Sequence, residues 1–146
     1  MTKLCLPCSD SQVNIAPLNV KIDCITINSA GPDPDSILLE GEPFELSVDV
    51  HFSGAGTAAL MPLGLPVMVT FFAESVGPGP EVELGKATVE TQCGKNDYTV
   101  TLRVNRNPLT GERVYKLSAT LRVGSTKCQA LVNGFISGGA IEVYKP

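Results

Sequence analysis

Tyr98-Thr-Val-Thr-Leu-Arg-Val-Asn105 and Tyr115-Lys-Leu-Ser-Ala-Thr-Leu-Arg-Val123, joined through Asn107-Pro-Leu-Thr-Gly111, decide the fold class of this chain. In the first arm Tyr98, Val100, Leu102 and Val104 alternate with Thr99, Thr101, Arg103 and Asn105. In the second, Tyr115, Leu117, Ala119, Leu121 and Val123 alternate with Lys116, Ser118, Thr120 and Arg122. A period of two gives each arm one apolar and one polar face, as a half-buried strand requires. Asn, Pro, Thr and Gly between the arms carry turn chemistry, so the stretch predicts a β-hairpin. Its polar face, with Arg103, Lys116 and Arg122, is mildly basic.

Working outward, Phe44, Leu46, Val48, Val50 and Phe52 alternate with Glu45, Ser47, Asp49 and His51, which predicts a core strand with one wet face. Val67 to Ala73 is apolar on both faces, Val67, Val69 and Phe71 against Met68 and Phe72, so a cover over its second face is expected. Val20, Ile22 and Cys24 share one parity while Ile25 and Ile27 share the other, which a bulge or sheet switch near Cys24 and Ile25 reconciles. The parity change around Gly85, between Val82 and Leu84 on one side and Ala87 and Val89 on the other, predicts a second bulge or a break. Cys128 to Ile136 and Ala140 to Tyr144 read as two further strands joined tightly at Gly138-Gly139. Ser53 to Leu65 reads as a long apolar loop. About eight strands without a sustained helical period predict an all-β chain, an antiparallel β-sandwich. A length of 146 residues suits one domain. Residues 1–16 are expected to form an arm or edge strand, and 17–146 the sandwich.

The charge balance narrows the partners. Net charge is −4 and the 11 Lys and Arg are scattered singly, so no basic patch is available for nucleic acid. The most apolar window, Ala58 to Ala73, is shorter than the ~18 residues of a membrane span and is broken by Pro62, Gly64 and Pro66, so no membrane insertion is expected. Lys3, Pro7 and Asp10 leave no apolar core for a secretion signal, and five cysteines make an odd set. A cytoplasmic location is the expectation.

Cys5-Leu-Pro-Cys8 has the spacing of half a zinc site or of a redox pair. Zinc wants four ligands, however, and Cys24, Cys93, Cys128 and His51 stand singly. Two thiols on an arm, with no cofactor, is the plain expectation; zinc or redox chemistry at Cys5 and Cys8 is the alternative. Cys24 is expected to be a small buried residue, and pairing of Cys93 with Cys128 would need an oxidising compartment. His51 shares a face with Asp49, but no nucleophile motif accompanies them, so a solvated strand histidine and no catalytic residues are expected. Asp33 and Asp35 with Glu40 and Glu42 offer oxygens, yet calcium takes about 6–8 in a defined loop, and an acidic surface loop is the simpler reading. Gly54-Ala-Gly-Thr lacks the lysine of a phosphate-binding loop. The apolar run Ala58 to Leu65 either plugs one end of the sandwich or meets a partner. Leu60, Met61, Leu63 and Leu65, with Arg103 and Arg122, are the candidate partner-binding residues.

Tyr115-Lys-Leu-Ser-Ala resembles the tyrosine corner of immunoglobulin-like and fibronectin-III-like sandwiches. The resemblance covers roughly residues 18 to 145 and is architectural. It implies that the Tyr115 hydroxyl bonds backbone upstream, that Leu117 points inward, that Glu42 to Val48 is a second core strand and that Ala140 to Tyr144 closes the fold. With no Trp in the chain, Phe71 or Phe72 is implied in the place of a core tryptophan. Leu117, with Leu46 or Val48, would stand where antibody domains keep their disulfide. Tyr115, Leu117, Phe44 and Phe71 are therefore structural candidates. The functional expectation is a non-catalytic binding or assembly module that uses surface loops or strand edges, with a protein partner or self-association as a homo-oligomer. A carbohydrate-binding module is a further alternative, for which three Tyr and no Trp supply few stacking rings.

Overall fold

The computed structural model describes residues 17–29, 37–124 and 132–145. Within them the chain is mostly β, with nine strands in two sheets and one short helix. In order these are β1 (Asn19–Ile22), β2 (Thr26–Ser29), β3 (Ile37–Leu39), β4 (Phe44–Ser53), α1 (Thr57–Leu60) with a 3-10 turn (Met61–Leu63), β5 (Pro66–Ser75), β6 (Val82–Glu90), β7 (Asp97–Val104), β8 (Arg113–Val123) and β9 (Val132–Tyr144). The first sheet places β1 and β2 along one edge of β4 and β7 along the other. The second runs β3-β9-β8-β5-β6, antiparallel except where β3 lies parallel to the end of β9.

Alternation built the core as expected. Leu46, Val48 and Val50 of β4 and Val100 of β7 face Val67, Val69 and Phe71 of β5 and Leu117 and Leu121 of β8, all buried in one cluster. Phe71 is fully buried and Phe72 turns outward, so Phe71 fills the central position. Phe44, Tyr115 and Leu117 are buried as well. Where β6 approaches β7, a Cβ on Gly85 would stand 3.1 Å from the Leu102 methyls, and Gly85 holds φ +148°, a conformation that favours glycine. The register slips there, Phe71 pairing with Gly85 but Phe72 with Glu83, which is the bulge that the parity change predicts. A second bulge lies between β1 and β2. Ile22 pairs with Val50 and Thr26 with Ser47, so one extra residue on the edge strand returns Ile25 and Ile27 to the side of Val20 and Ile22.

Four expectations are corrected. The 98–123 stretch is not a hairpin: β7 pairs with β4, whereas β8 pairs with β5 and β9. Two amphipathic strands satisfy their apolar faces equally well from opposite sheets, and the link decides between these arrangements. Asn107 and Leu109 in that link are buried; Asn107 Nδ2 donates to Leu39 O at 3.1 Å and its backbone N–H to Glu42 O at 3.0 Å, so the link is tied to the β3–β4 corner and crosses the sandwich. Ser53 to Leu65 is not an open loop, since α1 and the 3-10 turn fold within it and bury Met61. Residues 132–144 form one strand with an irregularity rather than two strands joined at Gly138-Gly139. No second layer among the described residues covers β5. Its outer residues Met68 and Thr70 lie beside their cross-strand neighbours Arg122, Thr120 and Lys86 instead.

Candidate functional site

On the wet face of the first sheet, His51 stands near the C-terminal end of β4 between its cross-strand neighbours Lys21 of β1 and Asp97 of β7. Its Nδ1 is 2.7 Å from Asp97 Oδ1, and its Nε2 is 2.8 Å from Asp23 Oδ2. Lys21 Nζ lies 3.8 Å from the other Asp23 oxygen. The bulge between β1 and β2 brings Asp23 over this face, and its backbone N–H donates to Asp49 O at 2.9 Å. A carboxylate accepts but cannot donate, so both ring nitrogens donate only when the imidazole is protonated. Hydrogen bonds to Asp97 and then Asp23 raise the His51 pKa above its ordinary value, against a smaller opposing effect of desolvation. The hydrogen bond from His51 is the main cause that lowers the Asp23 pKa. Asp49, the sequence-adjacent candidate, instead accepts a 2.6 Å hydrogen bond from Thr99, its own cross-strand neighbour. Residues two apart on a strand are roughly 6–7 Å apart and cross-strand neighbours about 5 Å, which is why Asp97 rather than Asp49 reaches the ring. With both nitrogens engaged by carboxylates, the cluster is a three-strand staple.

The candidate partner residues are not brought together. Met61 is only 1% exposed and sits in the core, with its sulfur 3.6 Å from the Tyr98 hydroxyl. Leu60 and Leu65 are half-buried against the core, and only Leu63, at 63% exposure, projects from this end cap. Arg103 lies on the outer face of the first sheet, paired with Glu45 at 3.2 Å; Arg122 lies half-buried on the outer face of the second. Cys24 is exposed rather than buried, because it falls in the bulge, and Cys93 is exposed at its turn. Cys5, Cys8, Asp33, Asp35 and Cys128 lie outside the described residues. Glu40 has a structural partner, Gly111 N–H at 2.9 Å. Among the described residues no group of three or more His, Cys, Asp or Glu is arranged to hold a metal ion, and no helix is long and apolar enough to cross a membrane. Tyr98 and Tyr115 are buried, which leaves Phe135 and Tyr144 as the exposed rings among the large apolar side chains.

The feature that the sequence reading missed is the outer edge of β9. This strand has 13 residues, but β3 pairs only with Glu142–Tyr144. The direction of its amides follows from the ladder. Gly124 N–H donates to Pro66 O and Val76 N–H to Val114 O, so even-numbered residues of β8 turn their backbone toward β5 and odd-numbered ones toward β9. Leu121 and Val123 therefore bond Gly134 and Val132, while Asn133, Phe135 and Ser137 turn N–H and C=O to the open side. Among the described residues nothing pairs with that stretch. It contains no charge and no proline from Val132 to Ile141, and Phe135 is 67% exposed beside it. An uncharged run of ten residues in a net-acidic chain was the available signal.

No family model matches this chain, and no curated protein sequence matches it. Among solved structures, a superoxide reductase (neelaredoxin) from Ignicoccus hospitalis is similar over 84% of this chain and 81% of its own, at 17% identity and TM-score 0.41. A β-glucosidase from Listeria innocua is similar over 90% of this chain at 12% identity and TM-score 0.43, and this chain spans 17% of its length. Spo0M, a sporulation control protein from Bacillus subtilis, is similar over 90% of this chain and 50% of its own, at 9% identity and TM-score 0.38.

Proposed function

We propose that this chain is a sandwich of the immunoglobulin-like, fibronectin-III-like type and serves as a non-catalytic binding or assembly module through strand addition at the β9 edge. The type is supported by the strand order, with β1/β2-β4-β7 against β9-β8-β5-β6, and by the Tyr115 corner at the crossing between the sheets. The observation that carries the function is the row of outward backbone groups on Asn133, Phe135 and Ser137, uncharged and paired with no described residue. Such a row is a template for an added strand, in which main-chain hydrogen bonds give affinity and alternate side chains give selectivity. Natural edges are usually blunted by charge or proline, and this one is not.

The test is a display library of extended peptides, presented to the wild-type protein and to Ser137→Pro. Proline at 137 removes an amide that the β8 ladder does not use, so the fold tolerates it while the edge loses a donor. Peptides captured by the wild type and lost by the variant are expected. Capture that survives both Ser137→Pro and Phe135→Lys contradicts the reading.

A further inference from the structure

We propose that the β9 edge takes the β9 of a second copy of this chain, antiparallel about a two-fold axis at Phe135; this rests on the strand-addition reading above. A two-fold axis that relates two antiparallel strands pairs each residue i with its mirror across a centre, and a centre on the middle one of three outward-facing residues lets all three pair with one another. Among the outward-facing residues Asn133, Phe135 and Ser137, the middle one is Phe135. Centring there sets Asn133 opposite the second copy's Ser137 and Phe135 opposite its own counterpart, and all three residues exchange backbone hydrogen bonds.

The side chains then match in size and chemistry. On the outer face the two Phe135 rings meet, covering the most exposed large apolar side chain of the described residues, and each Asn133 amide faces a hydroxyl. On the inner face Gly134 falls opposite the second copy's Ile136. The Ile22 side chain lies over Gly134, its Cδ1 2.8 Å from where a Cβ would stand. The second copy's Ile136 therefore packs on Ile22 across the glycine, and Ile136, half-buried at the edge of the core, becomes covered. A chain of net charge −4 repels its copy, and this pairing places no like charges in register. Other strands are guarded: β6 carries Glu83, Lys86, Glu90 and a bulge, β1 and β2 carry Lys21 and a bulge beside Asp23, and β7 carries Asp97 and Arg103. Pairing at β9 joins the two second sheets into one continuous sheet.

Sedimentation velocity and light scattering of the full chain test the proposal. The expected wild-type species has twice the 15.4 kDa chain mass and halves on dilution or in Phe135→Lys. Two double variants test the register, with folding checked by far-UV circular dichroism. Asn133→Lys with Ser137→Lys sets lysine against lysine and is expected to be monomeric. Asn133→Asp with Ser137→Lys sets opposite charges face to face and is expected to remain dimeric. Amide exchange of the wild type supplies a readout free of mutation: protection of Asn133, Phe135 and Ser137 should rise with protein concentration. A wild-type monomer at the highest soluble concentration overturns the second copy as occupant, and peptide capture lost in Ser137→Pro would still leave strand addition standing. A dimer that persists in the double-lysine variant overturns the proposal by placing the interface elsewhere. Loss of the dimer in both double variants, each folded, overturns the register.

Discussion

His51 joins three strands through one ring, and its titration fixes when it does so. Protonated, it donates to Asp97 and Asp23 together; neutral, it keeps one N–H and one of the two bonds is lost. Its pKa is raised in the folded chain, so its stabilising contribution is complete below the unfolded value of about 6.5 and disappears as pH rises through the folded value. Asp23 is shifted the other way. Its contribution is complete above the unfolded value of about 3.8 and disappears as pH falls through its lowered folded value. Between roughly pH 4 and 6.5 both are present, and the staple is at full strength. The other charged groups on this face are Lys21, bound to Asp23, Asp49, bound to Thr99, and the Glu45–Arg103 pair toward the other end of β4. The denaturant midpoint of wild type should therefore exceed that of His51→Gln most clearly in that window, and the gap should narrow as pH rises above it. Imidazole proton shifts provide the direct check: a midpoint at or below 6.5 would contradict the double hydrogen bond. The sequence offered His51 and the alternation that turns it outward, but not Asp97, because register between residues 46 apart is set by pairing across the sheet.

At the scale of elements, two tyrosines fasten two sheet-to-sheet crossings. Tyr115 Oη accepts the Thr110 N–H at 3.1 Å and anchors the link from β7 to β8. Tyr98 Oη accepts the Gln92 N–H at 2.9 Å and donates to Lys95 O at 2.6 Å, which closes the link from β6 to β7. Tyr115→Phe leaves the Thr110 amide without this partner and should lower unfolding free energy by about 1 kcal/mol. Tyr98→Phe removes a donor and an acceptor from a tighter corner and should cost about 1–2 kcal/mol. Urea denaturation of both variants measures this order, and the reverse order would refute the account. The Tyr115-Lys-Leu motif was legible in the sequence, yet the hairpin read from the same residues is incompatible with it, since a corner tyrosine belongs to a link that changes sheets. Periodicity identifies strands and their faces. It is silent on which strand lies alongside, because both arrangements bury the same alternate residues. Bulges were legible, at Cys24-Ile25 and at Gly85, because an extra residue switches parity in the sequence itself.

For the whole molecule, the two sheets share one apolar layer, so neither has a core of its own. Leu46 of β4 and Phe71 of β5 are fully buried in the same cluster as Leu117 and Leu121 of β8, and removal of either sheet would expose the other's inner face. The outer face of the first sheet adds bonds that run within that sheet, such as His51 to Asp97 and Arg103 to Glu45, and these cannot substitute for the layer between sheets. Unfolding of the two sheets should accordingly be one transition. Leu46→Ala tests this, because it truncates a first-sheet residue within the shared layer and should cost about 2–5 kcal/mol. With a shared core, protection of the slowest amides in β5 and β8 falls by the same free energy as in β4 and β7. If β5 and β8 kept wild-type protection while β4 and β7 lost theirs, the sheets would be separate units and the single-domain expectation would fail. Far-UV circular dichroism and amide exchange should give the same midpoint shift, since one cooperative unit leaves no partly folded state for the two probes to report differently.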